Sequence, residues 1–422
     1  MQKRGLSGLA CLAVVAAFAL VLPACDPVPG ATPTPSPSAT IPVASPTPSP
    51  SPTPTSLPLG RALSAGGYSS AFLHSDGRVS WWGSTPALPG DPESALWPIP
   101  FYPIPMTDKL IPFPLIGSSD FLEVAPGVTH SCARNVDGKV VCWGYNGSGQ
   151  LGDGTLVTST TPVTVSEIDD ATQVAVGMEY SCALHENGTV SCWGANTWGQ
   201  LGDGTTTDRT TPVTVLGIDE AVQITVSSNH ACAIHADGTA SCWGENYHGE
   251  LGDGTTIDSS QPVTVVDLSP VAQIAAGYGY TCALMVGETV RCWGLNHIGQ
   301  LGDGTTTDRP LPTTVTGLAG VKQIAAGDST TCAIIKDGSV ECWGDGGRGQ
   351  LGNGTITWSQ VTPIPVSGLG DAVQIASGWG HSCALRADDT VVCWGGNATG
   401  AVGDGSGVVC ILTPSLVSAL VF

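Results

Sequence analysis

The chain has 422 residues and a formal net charge of −21, with 56 glycines and only 12% charged residues. So acidic a surface repels phosphate backbones, which argues against nucleic acid as a partner and favours a basic protein or divalent cations. The length is sufficient for one large domain or two ordinary ones.

Residues 1–24 have the pattern of a secretory signal peptide. Lys3 and Arg4 form a charged start, and an apolar run extends from Leu9 to Leu22. The segment that ends at Cys25, Leu-Pro-Ala-Cys, resembles the lipobox of bacterial lipoproteins, which predicts cleavage before Cys25 and a lipid on its thiol. Plain secretion and an uncleaved membrane anchor are the alternatives. Each of these locations is oxidising, so disulfides are expected to persist.

Residues 25–60 are predicted to be the lipidated cysteine followed by a disordered linker. The segment 26–59 contains 12 prolines among Ser, Thr and Ala, and it cannot bury a core. If Cys25 is lipidated, the linker would hold residues 61–422 away from the extracellular face of a bacterial membrane. If the protein is simply secreted, the linker has no such role.

From residue 61 onward the chain is a tandem repeat. A Cys-x9-Cys-Trp pattern recurs in steps of 50 residues, and the last step is 51. Self-similarity at a fixed period indicates a repeat architecture. A seventh unit without the cysteine pair precedes the six others, with Ser70 and Trp81 assigned to the cysteine positions. The predicted units are 61–123, 124–173, 174–223, 224–273, 274–323, 324–374 and 375–422.

The cysteine pattern predicts a disulfide across each of six hairpins. Asn187-Gly188 is a typical hairpin turn, and a three-residue turn centred on Asn187 places Cys182 opposite Cys192. Each bridge closes a short loop and is expected to contribute about 2–3 kcal/mol. The predicted pairs are Cys132–Cys142, Cys182–Cys192, Cys232–Cys242, Cys282–Cys292, Cys332–Cys342 and Cys383–Cys393. Cys410 falls outside the period, and the sequence leaves its state open.

Each unit contains four short segments rich in apolar or β-branched residues, and no segment has the length and period of a core helix. Four strands in about 50 residues is the size of a propeller blade. We therefore predict an all-β chain, a seven-bladed β-propeller of four-stranded antiparallel blades. An open solenoid fits less well because nothing resembles a polar cap.

The repeat also resembles a known family. Its full pattern, Gly-x-x-His-Ser/Thr-Cys-Ala-Leu, Asp-Gly-x-Val and Trp-Gly-x-Asn-x-x-Gly-Gln-Leu-Gly-x-Gly, is seen at Gly127–Gly154 with Arg134 in place of Leu. This resembles the regulator of chromosome condensation repeat family over residues 61–422. The resemblance implies the same seven-bladed propeller. The best-known member is a nucleotide-exchange factor for a nuclear GTPase, but the repeat motif carries no exchange residues.

Positions that vary within a repeated scaffold are candidates for binding. One variable patch follows each Trp-Gly, and its equal phase predicts that all copies lie on one rim, where aromatic residues and arginine are typical anchors. Ordinary loop variation, or packing of Trp198 and Tyr247 on the next blade, is the alternative. The candidates for partner binding are Tyr145, Trp198, Tyr247, His248, His297, Ile298 and Arg348.

Three further patterns suggest ligands less directly. His130, His230 and His381 share one phase, but they lie in units 2, 4 and 7, so a scaffold role is favoured over zinc. The Gly-Asp-Gly turns, such as Asp203 with Asp208 after it, offer carboxylates to Ca²⁺, yet Asp before Gly also stabilises a turn by itself. We therefore expect no cofactor, with Ca²⁺ as the alternative.

The sequence contains no catalytic motif, so we expect no enzyme. We predict a monomeric, cell-surface-tethered scaffold that binds an unidentified protein and reaches the membrane only through its lipid. A secreted hydrolase or lyase with a site in the central channel, and exchange-factor activity, are the alternatives. The insert at residues 84–119 of unit 1 covers one face, docks a partner or seals the ring.

Overall fold

The computed structural model describes residues 62–86, 106–114, 120–268, 270–418 and 420. The predicted signal peptide, Cys25 and the linker lie outside these residues, as do residues 87–105 and 115–119 of the insert. Within the described part, no helix is long and apolar enough to cross a membrane.

The described residues form 28 strands, which we number in chain order. Blade 1 contains β1 (Ala62–Gly66), β2 (Ser69–Leu73), β3 (Val79–Pro86) and β4 (Met106–Pro114). Blade 2 contains β5 (Phe121–Pro126), β6 (His130–Asn135), β7 (Val140–Gly144) and β8 (Ser159–Thr164). Blade 3 contains β9 (Ala171–Val176), β10 (Tyr180–His185), β11 (Val190–Gly194) and β12 (Arg209–Thr214). Blade 4 contains β13 (Ala221–Val226), β14 (His230–His235), β15 (Ala240–Gly244) and β16 (Ser259–Thr264).

The last three blades follow the same plan. Blade 5 contains β17 (Val271–Gly277), β18 (Tyr280–Met285), β19 (Val290–Gly294) and β20 (Arg309–Thr314). Blade 6 contains β21 (Val321–Ala326), β22 (Thr330–Ile335), β23 (Val340–Gly346) and β24 (Thr357–Pro365). Blade 7 contains β25 (Ala372–Ser377), β26 (His381–Arg386), β27 (Val391–Gly396) and β28 (Cys410–Leu416).

Each blade is one antiparallel sheet of four consecutive strands, which confirms the predicted seven-bladed propeller. The ring closes where blade 7 meets blade 1. Gln374 exchanges two hydrogen bonds with the backbone of Leu63, at 3.0 and 3.2 Å. Part of the insert in unit 1 supplies β4, the fourth strand of its own blade.

The core lies between neighbouring blades. Apolar side chains from two successive sheets interdigitate there, as Leu184 of blade 3 does with Ile224 and Trp243 of blade 4. One tryptophan of each blade is fully buried in such a layer. Burial of large aromatic side chains contributes strongly to stability, so each blade is stable only against its neighbours.

The hairpin between the second and third strands has the predicted register. Cys182 faces Cys192 with their Cα atoms 4.1 Å apart, and the loop closes through Gly188 N–H to His185 O at 3.0 Å. Gly188 has φ of 80°, which favours glycine. All six predicted disulfides are present, and Cys410 is disulfide-bonded as well.

The assignment of Ser70 to a cysteine position in blade 1 is wrong. The register pairs Trp81 with Ala71, whereas Ser70 pairs with Trp82. The buried Trp81 ring therefore stands where the other blades have a disulfide, and it contacts Trp143 of blade 2 edge to face at 6.0 Å. The small Ala71 leaves the space that this ring needs.

A tryptophan hydrogen bond joins successive blades. The indole N–H of Trp193 in blade 3 donates to the carbonyl of Gln150 in blade 2 at 2.9 Å. Gly152, with φ of 68°, lies against the same indole, where a Cβ would come within 2.7 Å of Nε1. The Gly-Gln-Leu-Gly motif therefore forms a socket for the next blade's tryptophan. Equivalent bonds are made by Trp243, Trp293, Trp343, Trp394 and Trp82.

A glutamine on the innermost strand forms a second joint. Gln173 accepts from Ile224 N–H and donates to Ile224 O, both at 2.8 Å, so it pairs with one residue of the next blade as a strand would. Gln223, Gln273, Gln323 and Gln374 also bond the following blade. In blade 2, Glu123 takes this position and accepts from Val174 N–H at 2.9 Å.

The fourth strand of each blade is the outer edge of the ring, and every one of them contains proline. Pro212 in β12 is an example, and it offers no N–H to a neighbouring chain. Such edges resist pairing with another sheet, which favours separate propellers over aggregates. The prolines are Pro112, Pro114, Pro162, Pro212, Pro262, Pro310, Pro312, Pro363, Pro365 and Pro414.

We expect Cys282→Ala with Cys292→Ala to lower the free energy of unfolding by about 2–3 kcal/mol. Without the bridge, the unfolded chain regains the conformational entropy of the loop between the two cysteines. Guanidinium unfolding followed by tryptophan fluorescence measures this change. A reducing agent should shift the wild-type midpoint further than the variant's, because the wild type has one more hairpin bridge to lose. A double variant as stable as wild type would contradict the contribution assigned to the bridges.

We expect Glu123→Gln to stabilise the propeller above about pH 7 by about 1–2 kcal/mol. Desolvation raises the pKa of Glu123 to about 7, even though the positive charge of the nearby Arg134 acts to lower this pKa. Ionised Glu123 is therefore unfavourable in the folded state at high pH, and the penalty disappears as the pH falls towards the unfolded pKa. Glutamine also donates to Val174 O, as its counterparts do in other blades.

Urea unfolding across this pH range measures the effect of the Glu123 substitution. The matched control is Gln173→Glu, which places the same carboxyl in blade 3 and should destabilise most at high pH. Equal stability of wild type and Glu123→Gln at all pH values would show that the carboxyl is as well solvated as in the unfolded chain.

Candidate functional site

One face of the ring, which we call the loop face, carries two kinds of segment from each blade. They are the turn between the first and second strands and the long connection between the third and fourth. Backbone hydrogen bonds tie the two together, as from Ala195 N to Glu179 O at 2.9 Å. The opposite face carries the hairpin turns of the second and third strands. All seven residues predicted to bind a partner lie on the loop face.

A buried asparagine holds the long connections of blades 2, 3, 4, 5 and 7 in place. In blade 6 Gly346 takes this position, and the connection is held by pairing of Gly346 with Thr357. Asn196 accepts from Leu201 N–H at 3.0 Å, and its amide donates to the carbonyls of Thr205 at 3.2 Å and Thr207 at 3.1 Å. Asn146, Asn246, Asn296 and Asn397 do the same in their blades. The connections are thus fixed by repeated residues, and the variable tips are carried on a rigid support.

The predicted binding residues differ in exposure. Tyr247 is 74% exposed and His297 is exposed, whereas Tyr145, Trp198, His248, Ile298 and Arg348 are half-buried. His248 bonds Asp308 of the next connection at 2.8 Å and contacts the Tyr247 ring edge to face at 4.8 Å. The alternative that Tyr247 packs on the next blade is wrong, because most of its side chain faces solvent.

The sequence interpretation missed Trp358, which is 62% exposed on this face. It lies in β24, a nine-residue strand, and its ring covers Gly347, where a Cβ would come within 2.6 Å of a ring carbon. The signal that could have revealed it is the 51-residue step, because the extra residue lies in this connection.

The first turns of all seven blades meet at the mouth of the central channel. They line a cavity of about 120 Å³. One side is apolar and includes Val128 and Met178, and the other includes Tyr278, Asp328 and Trp379. The lining contains one carboxylate and neither histidine nor cysteine, so it offers no support to an enzymatic channel site.

Aromatic side chains and a guanidinium lie beside the cavity between blades 6, 7 and 1. The Tyr68 and Trp379 rings meet edge to face at 5.7 Å, and Arg348 donates to Trp379 O at 3.4 Å. Burial raises the pKa of the Tyr68 hydroxyl, although Arg348 opposes it. Tyr68 and Trp379 were not among the sequence candidates.

Carboxyl groups in blades 4 to 6 are partly desolvated. Glu250 takes the position that glutamine has in blades 2, 3, 5 and 6. Desolvation, with the nearby Glu245, raises its pKa to about 8. Glu250 therefore holds a proton at neutral pH and resembles glutamine. Glu245 accepts from Asn229 at 2.9 Å, and burial raises its pKa also.

The three in-phase histidines are scaffold residues. His130 bonds Ser181 at 2.7 Å, His230 bonds Thr281 at 2.9 Å, and His381 bonds Ser70 at 2.8 Å, in each case on the following blade. Burial lowers the pKa of His130 and His230 to about 3 and that of His381 to about 4. In the described part of the chain, no three His, Cys, Asp or Glu side chains are grouped to hold a metal.

The aspartates of the Gly-Asp-Gly turns are engaged within their own connections. Asp203 accepts from Thr205 N–H at 2.9 Å and pairs with Arg209 at 2.7 Å, while Asp208 accepts from Asn196 N–H at 2.8 Å. These bonds account for the repeated aspartates as turn residues. That the protein has no cofactor, with Ca²⁺ as the alternative, stays a prediction.

The sequence model of the RCC1-like domain matches residues 107–421. The chain belongs to this family. Human WBSCR16 is similar in structure, with a TM-score of 0.72 and 23% identity over 81% of this chain and 94% of that one. The predicted resemblance to the regulator of chromosome condensation repeat family is thus confirmed.

Two yeast structures show the same RCC1-like fold. One is a chain from the crystal structure of Kap60 bound to yeast RCC1 (Prp20), with a TM-score of 0.69 and 21% identity over 80% of this chain and 83% of that chain. The other is Prp20p from Saccharomyces cerevisiae, with a TM-score of 0.68 and 22% identity over 80% and 85%. At this identity the likeness concerns the fold.

We expect His130→Tyr with Ser181→Ala to reduce the loss of stability in acid. A lowered histidine pKa gives stability that is present above the unfolded value and lost as the pH falls, because only the unfolded state takes up the proton. Between about pH 6 and pH 4 one such group accounts for about 2 kcal/mol. The double variant copies the Tyr180 and Ala231 pair that this chain uses between blades 3 and 4.

Urea unfolding at several pH values measures this loss. Ser181→Ala alone is the control, since it retains the buried imidazole and should keep the wild-type pH dependence. An unchanged slope in the double variant would show that His130 becomes protonated without unfolding.

Proposed function

We propose that the chain is a cell-surface-tethered propeller that binds a protein partner with its loop face. Large aromatic side chains on this face carry the proposal: Tyr247 and Trp358 are mostly exposed. Asn246 holds the connection that carries Tyr247, and strand pairing of β23 with β24 holds the one that carries Trp358. Aromatic anchors on a rigid support are typical of binding surfaces, because little conformational entropy is lost on association.

The charge of the loop face favours a basic partner. Glu179, Glu245 and Asp345 lie there, and burial raises the pKa of each. Two of the arginines on this face are paired with aspartates of their own connections, Arg209 with Asp203 at 2.7 Å and Arg309 with Asp303 at 2.8 Å. The charges of these arginines are therefore already balanced by the aspartates. The loop face keeps a negative potential, which attracts a basic surface.

Similar propellers also support a role in protein binding. One of the yeast structures is of Kap60 bound to yeast RCC1 (Prp20), and the other concerns Prp20p and its binding properties to Gsp1p and histones. For this chain we carry over only the use of the propeller as a binding platform. Exchange activity would need specific residues, and identity of 21–23% does not transfer them.

The proposed location rests on the sequence. Cys25 would carry a lipid, and the proline-rich segment 26–59 would hold the propeller clear of the membrane. The six bridges within hairpins are compatible with an extracellular protein. We propose a monomer, which agrees with the prolines on every outer strand.

We expect Tyr247→Ala with Trp358→Ala to lower the amount of recovered partner at least roughly tenfold, because two exposed anchors are lost. The experiment is quantitative pull-down of envelope proteins of the source organism with the oxidised propeller, followed by mass spectrometry.

The matched control is Val136→Ala with Val286→Ala. These valines are 58% and 60% exposed on hairpin turns of the opposite face. The control should recover the same partners as wild type. Equal recovery by both double variants would remove the loop-face proposal, and loss in the control alone would move the binding surface to the opposite face.

A further inference from the structure

The cavity at the channel mouth is a site of different chemistry from the aromatic tips. About 10–15 Å³ is enough to hold one water molecule, so a cavity of about 120 Å³ has room for a charged head group and a short alkyl stem. It lies on the axis of the ring, where the turns of seven blades form a support that no single loop can displace.

The lining is divided between apolar and polar sides. Val128, Met178 and Val226 come from blades 2, 3 and 4 and make this side the more apolar one, although Ser227 and Ser228 of blade 4 also line it. Tyr278, Asp328 and Trp379 come from blades 5, 6 and 7. A ligand that fills this space should therefore have an apolar part and one polar end.

The polar side carries an unneutralised carboxylate. Asp328 accepts one side-chain hydrogen bond, from Ser329 at 3.2 Å, and within the described residues no cationic group lies within 4.0 Å of it. Arg348 is the nearby cation, but its guanidinium is directed to Trp379 O and lies against Gly380. Asp345 adds a second negative charge close by. A half-buried carboxylate with so few donors is stabilised by a cation.

We infer that the channel mouth binds an organic cation, an alkylammonium group that pairs with Asp328. Its stem lies on the apolar side, against Val128 and Met178. Tyr278 and Trp379 stand beside the charge, and aromatic rings attract cations. A free amine and a lysine side chain of a protein share this chemistry, so the test separates the two sources.

The test is isothermal titration of the oxidised propeller with three probes. They are n-butylammonium, Nα-acetyl-lysine methylamide and butan-1-ol. We expect n-butylammonium to bind. Butan-1-ol has a similar stem but no charge, and its Kd should be at least roughly ten times higher. Binding of the lysine derivative as well identifies a protein side chain as a source, and its failure beside bound n-butylammonium identifies a free amine.

Two variants locate the site. Asp328→Asn should weaken n-butylammonium binding at least roughly tenfold, and Asp219→Asn, the same charge change on the opposite face, should leave it unchanged. Equal weakening by both would overturn the site in favour of a general effect of the acidic surface. No heat with n-butylammonium, or equal binding of butan-1-ol, would also overturn it. None of these titrations involves a protein partner, so their outcome does not decide the proposal that the loop face binds a protein.

Discussion

One hydrogen bond organises the ring: the indole N–H of a buried tryptophan donates to a carbonyl in the connection of the preceding blade. Trp243 with Gln200 O, at 3.0 Å, represents six such contacts among the described residues. The bond is buried, so leaving it unmade would be costly. Because it joins a strand to a connection of the loop face, the stability of the ring and the shape of that face have the same origin.

These contacts explain which residues of the repeat recur and which vary. The tryptophan, the buried asparagine and the glycine with positive φ are all engaged between or within blades, so they recur in most copies. Side chains at the tips of the connections take no part in the joints, and they differ from blade to blade. Tyr247 and Trp358 are the most exposed aromatic examples. The rim can therefore vary in chemistry while the ring keeps its geometry.

The sequence predicted most of the fold because its period and cysteine spacing report register directly. Two cysteines that must face each other determine which residues pair across a hairpin, as Cys182 and Cys192 do. Blade 1 has no such pair, and its adjacent serines and tryptophans allowed Ser70 to be assigned one position away from Ala71. Without a bridge, local pattern alone could not settle that register.

The candidate site was less predictable for a physical reason. A repeat period gives the phase of a residue within its blade but not its distance from the axis of the ring. Asp328 and Tyr278 belong to separate units, 50 residues apart, and they line one cavity only because all blades converge there. Trp358 was missed because the search for variable positions covered only the residues directly after each Trp-Gly, whereas Trp358 lies further along, at the start of β24.

The short span of each disulfide bears on how the molecule is assembled. Every bridge within a hairpin links residues only 10 apart, so a blade can oxidise as soon as its own hairpin exists. Closure of the circle instead requires Leu63 to meet Gln374, 311 residues away. Contacts this distant are slow to form because of the entropy of loop closure. Biogenesis is therefore expected to proceed as rapid local maturation of hairpins, with a late step in which the first and last blades join.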